Sequence, residues 1–154
     1  MDPVWQNPAV IEQTQTILRS LKHFTGRSLV PCNHAAERAA EEVFHAPFVL
    51  VSHGTEADPI LNYGNATAQS LWEMSWEELT RTPSRMTAEA PERTERTRLL
   101  TAVMENGFID SYSGVRISKS GRRFRIARAT VWNLVTPEGK PAGQAACFSQ
   151  WEFL

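Results

Sequence analysis

The chain has 154 residues and a mass of 17.3 kDa, and its 16 basic side chains nearly balance its 17 acidic ones. A chain of this length buries about 70% of the surface that its unfolded form exposes, so one domain needs no disulfide or metal to hold its core. Two cysteines are too few for a secreted disulfide framework, and the amino terminus lacks a signal-peptide pattern. No apolar run approaches the roughly 20 residues that cross a bilayer. The composition predicts a cytoplasmic domain and excludes a membrane protein.

Two amphipathic helices are predicted before residue 47. Asn7 can cap the first helix and Pro8 suits its first position, while Gly26 ends it. Asn33 is the candidate cap of the second helix, which Pro47 stops. The apolar stripe of the first helix includes Val10, Ile17, Leu21 and Phe24. We expect this stripe to contribute to the interface of a homodimer.

The rest of the chain predicts a mixed sequence of strands and helices, so we divide it into an extension, 1–46, and a main domain, 47–154, within one structural unit. The helix that begins at Trp76 carries a capping box, because Ser75 and Glu78 are three residues apart. After about residue 107 the apolar period changes from helical to alternating, which indicates antiparallel strands joined by tight turns. The predicted strands are 48–51, 60–63, 112–118, 124–135 and 144–154, and the predicted helices are 66–72, one from residue 76, and 93–106.

Nine short segments carry a resemblance to a known family across about residues 9–154. They are VSHG (51–54), LNYGNA (61–66), LWEMSWEEL (71–79), PSR (83–85), GFID (107–110), YSGVRIS (112–118), GRRF (121–124), ATVWN (129–133) and GQAA (143–146). Together they resemble the MEKHLA domain, a PAS-related family found as stand-alone bacterial proteins and at the carboxyl end of plant homeodomain-leucine zipper regulators. The resemblance implies an α+β fold with a PAS-like five-stranded antiparallel sheet of order 2-1-5-4-3 and helices on one face, preceded by two N-terminal helices.

A sensor of this fold encloses a small molecule between the sheet and the short helices, in a pocket that is mainly apolar with a few orienting polar groups. Aromatic side chains are plentiful on the predicted short helices and late strands. The alternative is that they fill the core, as aromatic residues ordinarily do. The candidate ligand-binding residues are Trp72, Trp76, Phe108, Tyr112, Phe124, Arg128, Thr130, Trp132, Gln144 and Phe148.

The direction of the side chains on the strand 124–134 decides how this pocket is charged. If the even-numbered residues face inward, Arg128 is buried and needs an acidic ligand or an internal carboxylate such as Asp110. If the odd-numbered residues face inward, Arg123 and Arg125 are buried instead, which is less favourable. The pattern by itself leaves both orientations open.

The cofactor is unknown, and three cofactors fit the sequence poorly. Flavin photoreceptors of this fold use an Asn-Cys-Arg-Phe type motif after the second short helix, whereas residues 83–86 read Pro-Ser-Arg-Met, which argues against a covalent flavin. All four histidines precede the short helices, which argues against an axial haem ligand. The spacing of Cys32, His34, His45 and His53 matches no usual pair of zinc ligands.

Basic residues concentrate in one stretch of the chain. Between Asp110 and Glu138 there are six basic residues, from Arg116 to Arg128, and no acidic ones. We interpret them as the solvated face of a hairpin, because strands of one-sided sheets alternate polar-out. The overall isoelectric point of about 6.4 argues against a nucleic-acid partner.

The function predicted first is a non-enzymatic PAS-like sensory or interaction module for signalling, which binds a small molecule and has a signalling protein as a candidate partner. The alternative is a small α+β enzyme that uses the same pocket. Such an enzyme would need a general base on the late strands, but Glu138 and Glu152 are the only carboxylate side chains after Tyr112. Ser52 and His53 are adjacent on a strand and point to opposite faces, so we interpret that segment as a turn rather than a catalytic set.

Overall fold

The computed structural model describes residues 2–31 and 33–154, and at Ala90, Pro91 and Glu92 it describes the backbone alone. The helices of this part are α1 (Pro8–Thr25), α2 (Ala36–Phe44), α3 (Ala66–Trp72), α4 (Trp76–Leu79) and α5 (Ala90–Asn106), and the strands are β1 (Val49–His53), β2 (Leu61–Gly64), β3 (Phe108–Ile117), β4 (Arg123–Val135), β5 (Pro141–Phe148) and β6 (Gln150–Phe153). Short 3-10 helices lie at Val4–Gln6 and Ser84–Thr87. No helix of the described chain is long and apolar enough to cross a membrane.

Local sequence signals set most helix ends. The Asn7 side chain accepts a hydrogen bond from the Ala9 amide, and Gly26 ends α1 in the left-handed conformation, φ 75°. The predicted capping box before α4 is confirmed. The prediction that Asn33 caps α2 is wrong, because α2 begins later, after Ala35, which has no side chain able to cap.

The strands form one antiparallel sheet with the path β2-β1-β5-β4-β3, so the predicted order is confirmed. β5 lies between β1 and β4, and Ala146 is opposite Val51 on one side and Val131 on the other. The last predicted strand is interrupted at Ser149. Its two parts, β5 and β6, both pair with β4.

β3 and β4 each contain a bulge, and beyond each bulge the side chains alternate in the opposite sense. Ser111 in β3 and Arg128 in β4 have left-handed dihedral angles, φ 57° and 56°, and the register between the strands shifts at both places. On β4, one face therefore carries Phe124 and Ile126 before the bulge and the odd-numbered residues from Ala129 after it. Before the bulge the even-numbered residues face the side of the sheet that α5 covers. Beyond it Trp132 and Leu134 are still buried, but on the opposite side of the sheet, so neither of the two orientations left open by the pattern holds along the whole strand.

α1 packs on the face of the sheet opposite α5. Trp132 Nε1 donates to the Ile17 carbonyl oxygen at 3.2 Å, and Leu21 joins the same core cluster. Val131, the preceding residue on β4, points to the other face and packs against Leu99 of α5. Two helical layers therefore enclose the sheet.

The stripe predicted to carry a dimer interface is turned toward the protein's own sheet. Ile17 and Leu21 are 0% and 3% exposed, because they fill the core cluster beneath α1. Substituting both with glutamate would therefore disturb folding before it could report on a dimer. Homodimer formation itself stays a prediction.

One buried side chain ties several elements together. Asn65 Oδ1 accepts hydrogen bonds from the Leu50 and Ala68 amides, each at 3.1 Å. Its Nδ2 donates to the carbonyl oxygens of Val43 at 3.1 Å and Phe48 at 2.9 Å. Asn65 is fully buried, so these bonds link α2, β1 and the start of α3 without competition from water.

We expect Asn65→Ala to lower the free energy of unfolding by about 3–5 kcal/mol, because it leaves several buried backbone groups without partners. Denaturant titration of the purified protein measures the loss. Asn33→Ala, at an exposed turn, is the matched control and should change stability by less than about 0.5 kcal/mol. Equal effects of the two substitutions would show that the Asn65 bonds do not stabilise the fold.

The capping box predicts a smaller effect at α4. Ser75→Ala removes the acceptor of the Glu78 amide hydrogen bond, 3.1 Å long, and should cost about 1 kcal/mol. Chemical denaturation measures this loss, and Ser70→Ala at an exposed position of α3 is the control. A stability equal to that of the control variant would contradict the capping role.

Candidate functional site

A small cavity of about 70 Å³ lies between the sheet and the helices on the α5 side. A water molecule needs about 10–15 Å³ of such space, so the cavity has room for a few waters or one small molecule. Its apolar walls come from Val51, Leu61, Trp72, Leu99, Leu100, Ile126, Val131, Ala146 and Phe148. Its polar lining includes His53, Ser84, Thr87, Arg96, Tyr112, Arg116 and Gln144.

α5 brings Arg96 into the cavity from the helical side. Arg96 precedes Leu99, Leu100 and Val103 by three, four and seven residues, so it lies on the buried face of the helix. It is 7% exposed, and its guanidinium donates a short hydrogen bond to Ser84 Oγ. Burial, with repulsion from Arg116, lowers the pKa of Arg96 to about 10, so this side chain remains charged at neutral pH.

β3 supplies a second arginine through a Tyr-Gly-Arg arrangement. After the bulge at Ser111, Tyr112, Gly114 and Arg116 share the face that lines the cavity. Arg116 Nη2 donates to the Tyr112 hydroxyl at 3.3 Å, and its guanidinium lies 5.6 Å from the ring centroid. A Cβ at Gly114 would collide with the Tyr112 hydroxyl and lie 3.1 Å from Arg116 Nη1. The glycine therefore lets the two side chains meet across it.

His53, at the end of β1, presents an unpartnered nitrogen. Its Nδ1 lies 2.9 Å from the Gly54 carbonyl oxygen, which assigns the proton to Nδ1 and leaves Nε2 as an acceptor. Nε2 is buried and has no hydrogen-bond partner among the described residues. Burial, and to a smaller extent Arg96, lowers the pKa of His53, while the Gly54 carbonyl and the nearby Gln144 side chain oppose that shift. The imidazole is therefore neutral at neutral pH.

Gln144 lines the cavity but is held by its own chain. Its Nε2 donates to the Leu100 carbonyl oxygen at 2.9 Å and to Asn133 Oδ1 at 3.1 Å. Asn133 Nδ2 in turn donates to the Val103 carbonyl oxygen at 3.0 Å. These bonds connect the sheet to the inner face of α5 and hold the helix over the cavity.

Only part of the predicted ligand-binding set meets at this cavity. Trp72, Tyr112, Gln144 and Phe148 line it. Phe124 is buried behind it and contacts Trp72 edge to face, with 5.4 Å between ring centroids. The other aromatic candidates, Trp76, Phe108 and Trp132, belong to the core cluster beneath α1.

Arg128 and Thr130 border a separate groove on the α1 face of the sheet. The bulge turns the Arg128 side chain into solvent, so the prediction of a buried Arg128 is wrong. The suggested pair with Asp110 does not form either, because Asp110 pairs with Arg27 at 3.2 Å and accepts a hydrogen bond from Thr130 Oγ1 at 2.8 Å. A binding role for these residues stays a prediction.

The sequence alone did not identify three of the polar residues that line the cavity, Arg96, Arg116 and His53. The prediction that the basic residues of the hairpin face solvent is wrong for Arg116, which is 8% exposed. The interpretation of His53 as part of a turn is wrong, because His53 is the last residue of β1 and lines the cavity like Val51. Arg96 offered the clearest signal, because it stands at helical spacing from an apolar stripe. An arginine at such a position is buried and has to be satisfied there.

No curated protein matches this chain. Solved structures that share its fold include the following three. A PAS domain from Colwellia psychrerythraea is 14% identical, with a TM-score of 0.64 over 77% of this chain and 95% of that one. An RNA-binding light-oxygen-voltage receptor is 13% identical, with a TM-score of 0.61 over 78% of this chain and 33% of that one. A light-oxygen-voltage domain studied with a flavin analogue is 13% identical, with a TM-score of 0.58 over 79% and 86% of the two chains.

The sheet order and the flanking helices define a PAS-like fold. Residues 11–153 match the MEKHLA domain, and the chain belongs to that family. The resemblance stated from the sequence is therefore confirmed over nearly the whole chain.

A flavin, which the light-oxygen-voltage neighbours suggest, does not fit this cavity. Pockets for drug-sized ligands measure about 300–1,000 Å³, and the present cavity is far smaller. Among the described residues no cysteine lines it, since Cys147 faces the α1 side, and Cys32 lies outside the described residues. In the same part of the chain no three His, Cys, Asp or Glu side chains come together as a metal site requires. The exclusion of haem and zinc stays a prediction.

The lowered pKa of His53 predicts a pH-dependent stability. As the pH drops below about 6.5, His53 takes up a proton in the unfolded chain but not yet in the folded protein. The free energy of unfolding should therefore fall from about pH 6.5 down to the pKa of His53 in the folded protein. Above that window His53 contributes no slope. Urea denaturation at about pH 7.5 and about pH 5.5 measures the effect, which His53→Gln should reduce. An identical slope in the variant would contradict this role of His53.

Proposed function

We propose that this protein is a non-catalytic sensory or interaction module that binds a small molecule in the cavity between the sheet and α5. The observation that carries the proposal is the unpartnered His53 Nε2, buried at the wall of a largely apolar cavity. A buried polar atom without a partner costs about 1–3 kcal/mol, so a ligand that supplies a hydrogen bond there is favoured.

The lining supports binding more than catalysis. Within the described residues that line the cavity there is no carboxylate and no cysteine, and the Ser84 hydroxyl is already bonded to Arg96. His53 therefore has no nucleophile to activate as a base and no carboxylate to orient it. A signalling partner and self-association belong to the same proposal and stay predictions.

Native mass spectrometry of freshly purified protein tests occupancy directly. We expect a mass increment that disappears on denaturation and is lost in Ala146→Leu, because the larger side chain fills the cavity from β5. Cys147→Ala, on the same strand but facing α1, should retain the increment. Absence of any bound molecule, together with no binding in a metabolite screen, would contradict the proposal, and turnover of the bound molecule would favour the small enzyme instead.

A further inference from the structure

We propose that the ligand of this cavity is a small organic carboxylate, held by the guanidinium groups of Arg96 and Arg116. This inference rests on the proposed function, since it names the chemical class of the molecule that the cavity takes. The carrying observation is that two buried arginines line one small cavity whose described lining contains no acidic side chain.

The charge of the cavity is unbalanced. Arg96 and Arg116 are 7% and 8% exposed, and Arg116 is close enough to lower the pKa of Arg96 by repulsion. Among the side chains that the structure describes, no carboxylate pairs with either arginine. The nearby Asp58 is paired with Arg85, at 3.1 Å, on the exposed side of the same region. Buried cations of this kind require a counter-charge, and an anionic ligand supplies one.

Several N–H donors of the two guanidinium groups are not used by hydrogen bonds within the described residues. A guanidinium has five N–H donors, and Arg96 uses one of them for Ser84. Arg116 donates to the Val115 carbonyl oxygen at 2.9 Å and to the Tyr112 hydroxyl at 3.3 Å. Arginine binds carboxylates through two parallel hydrogen bonds, so the unused donors suit such a group.

The remaining walls favour an organic anion over inorganic phosphate. Trp72, Leu99 and Phe148 present apolar surface, which phosphate could not use. A ligand with one carboxylate and a short apolar or aromatic part would meet both kinds of lining, and a hydroxyl on that part would donate to His53 Nε2, which a carboxylate cannot do. The cavity volume of about 70 Å³ restricts that part to a few atoms, unless the surrounding side chains move apart.

Butyrate and benzoate are the probes, with butyramide and benzamide as neutral partners of the same shape and inorganic phosphate as a second anion. Thermal shift and isothermal titration calorimetry at two salt concentrations measure binding to the full-length protein. We expect at least one carboxylate to raise the melting temperature and bind about tenfold or more tightly than its amide. Tighter binding of phosphate than of either carboxylate would overturn the proposal.

Arg96→Met and Arg116→Met delete the charge and keep much of the side-chain volume. Each should weaken carboxylate binding about tenfold or more and leave the melting temperature of the ligand-free protein unchanged or higher, because an unpaired buried charge is removed. Arg85→Met is the matched control, an exposed arginine beside Ser84, and should bind within about twofold of the parent protein. Equal binding by all three variants would overturn the proposal.

Glu92→Gln tests an internal alternative, since Glu92 precedes Arg96 by one helical turn in the sequence. A loss of melting temperature in Glu92→Gln as large as that in Arg96→Met, with no carboxylate bound, would assign the arginine to an internal pair and overturn the inference. If native mass spectrometry detects a bound neutral molecule that Ala146→Leu excludes, the proposed function stands and the carboxylate inference fails. If the protein binds neither a neutral molecule nor a carboxylate, the proposed function and the inference both fail.

Discussion

The paired bulges of β3 and β4 are the constraint on which the arrangement of the cavity depends. Each inserts a residue with left-handed dihedral angles, Ser111 in one strand and Arg128 in the other. Because side chains of a strand alternate, one extra residue moves every following side chain to the opposite face. The bulge in β3 brings Arg116 to the cavity, and the bulge in β4 sends Arg128 to solvent and Trp132 to the face beneath α1. The two shifts compensate, so the register at both ends of the strand pair is the same.

The two helical layers are held to the sheet by different interactions. α1 closes one face with a continuous apolar cluster, in which Ile17 and Trp132 are fully buried. The opposite face is covered by α5 through fewer apolar contacts and through the amide bonds of Gln144 and Asn133. Asn65 connects α2 to β1 and to the start of α3 through four hydrogen bonds. The cavity therefore lies on the side of the sheet that α5 covers, apart from the apolar cluster beneath α1.

The polar lining of the cavity is costly for the protein in isolation. Two guanidinium groups and an imidazole nitrogen are withdrawn from water with few internal partners. An apolar lining of the same shape would stabilise the fold more, because buried charge carries a desolvation penalty that incomplete pairing does not offset. Such a penalty is typical of functional sites, and it distinguishes Arg96 and Arg116 from exposed arginines such as Arg27 and Arg85, which pair with aspartates at the surface.

The sequence by itself determined the local structure and the family. The helix caps at Asn7 and Ser75, the stop at Gly26 and the alternating strands follow from interactions within a few residues, which a pattern records. The nine motifs also predicted the strand order, because they resemble a family whose fold is known. The tertiary structure alone decided which side of the sheet each candidate residue faces. The bulges at Ser111 and Arg128 contain no glycine to mark them, and their position depends on the pairing of two strands, so no local signal separates a buried Arg116 from an exposed Arg128.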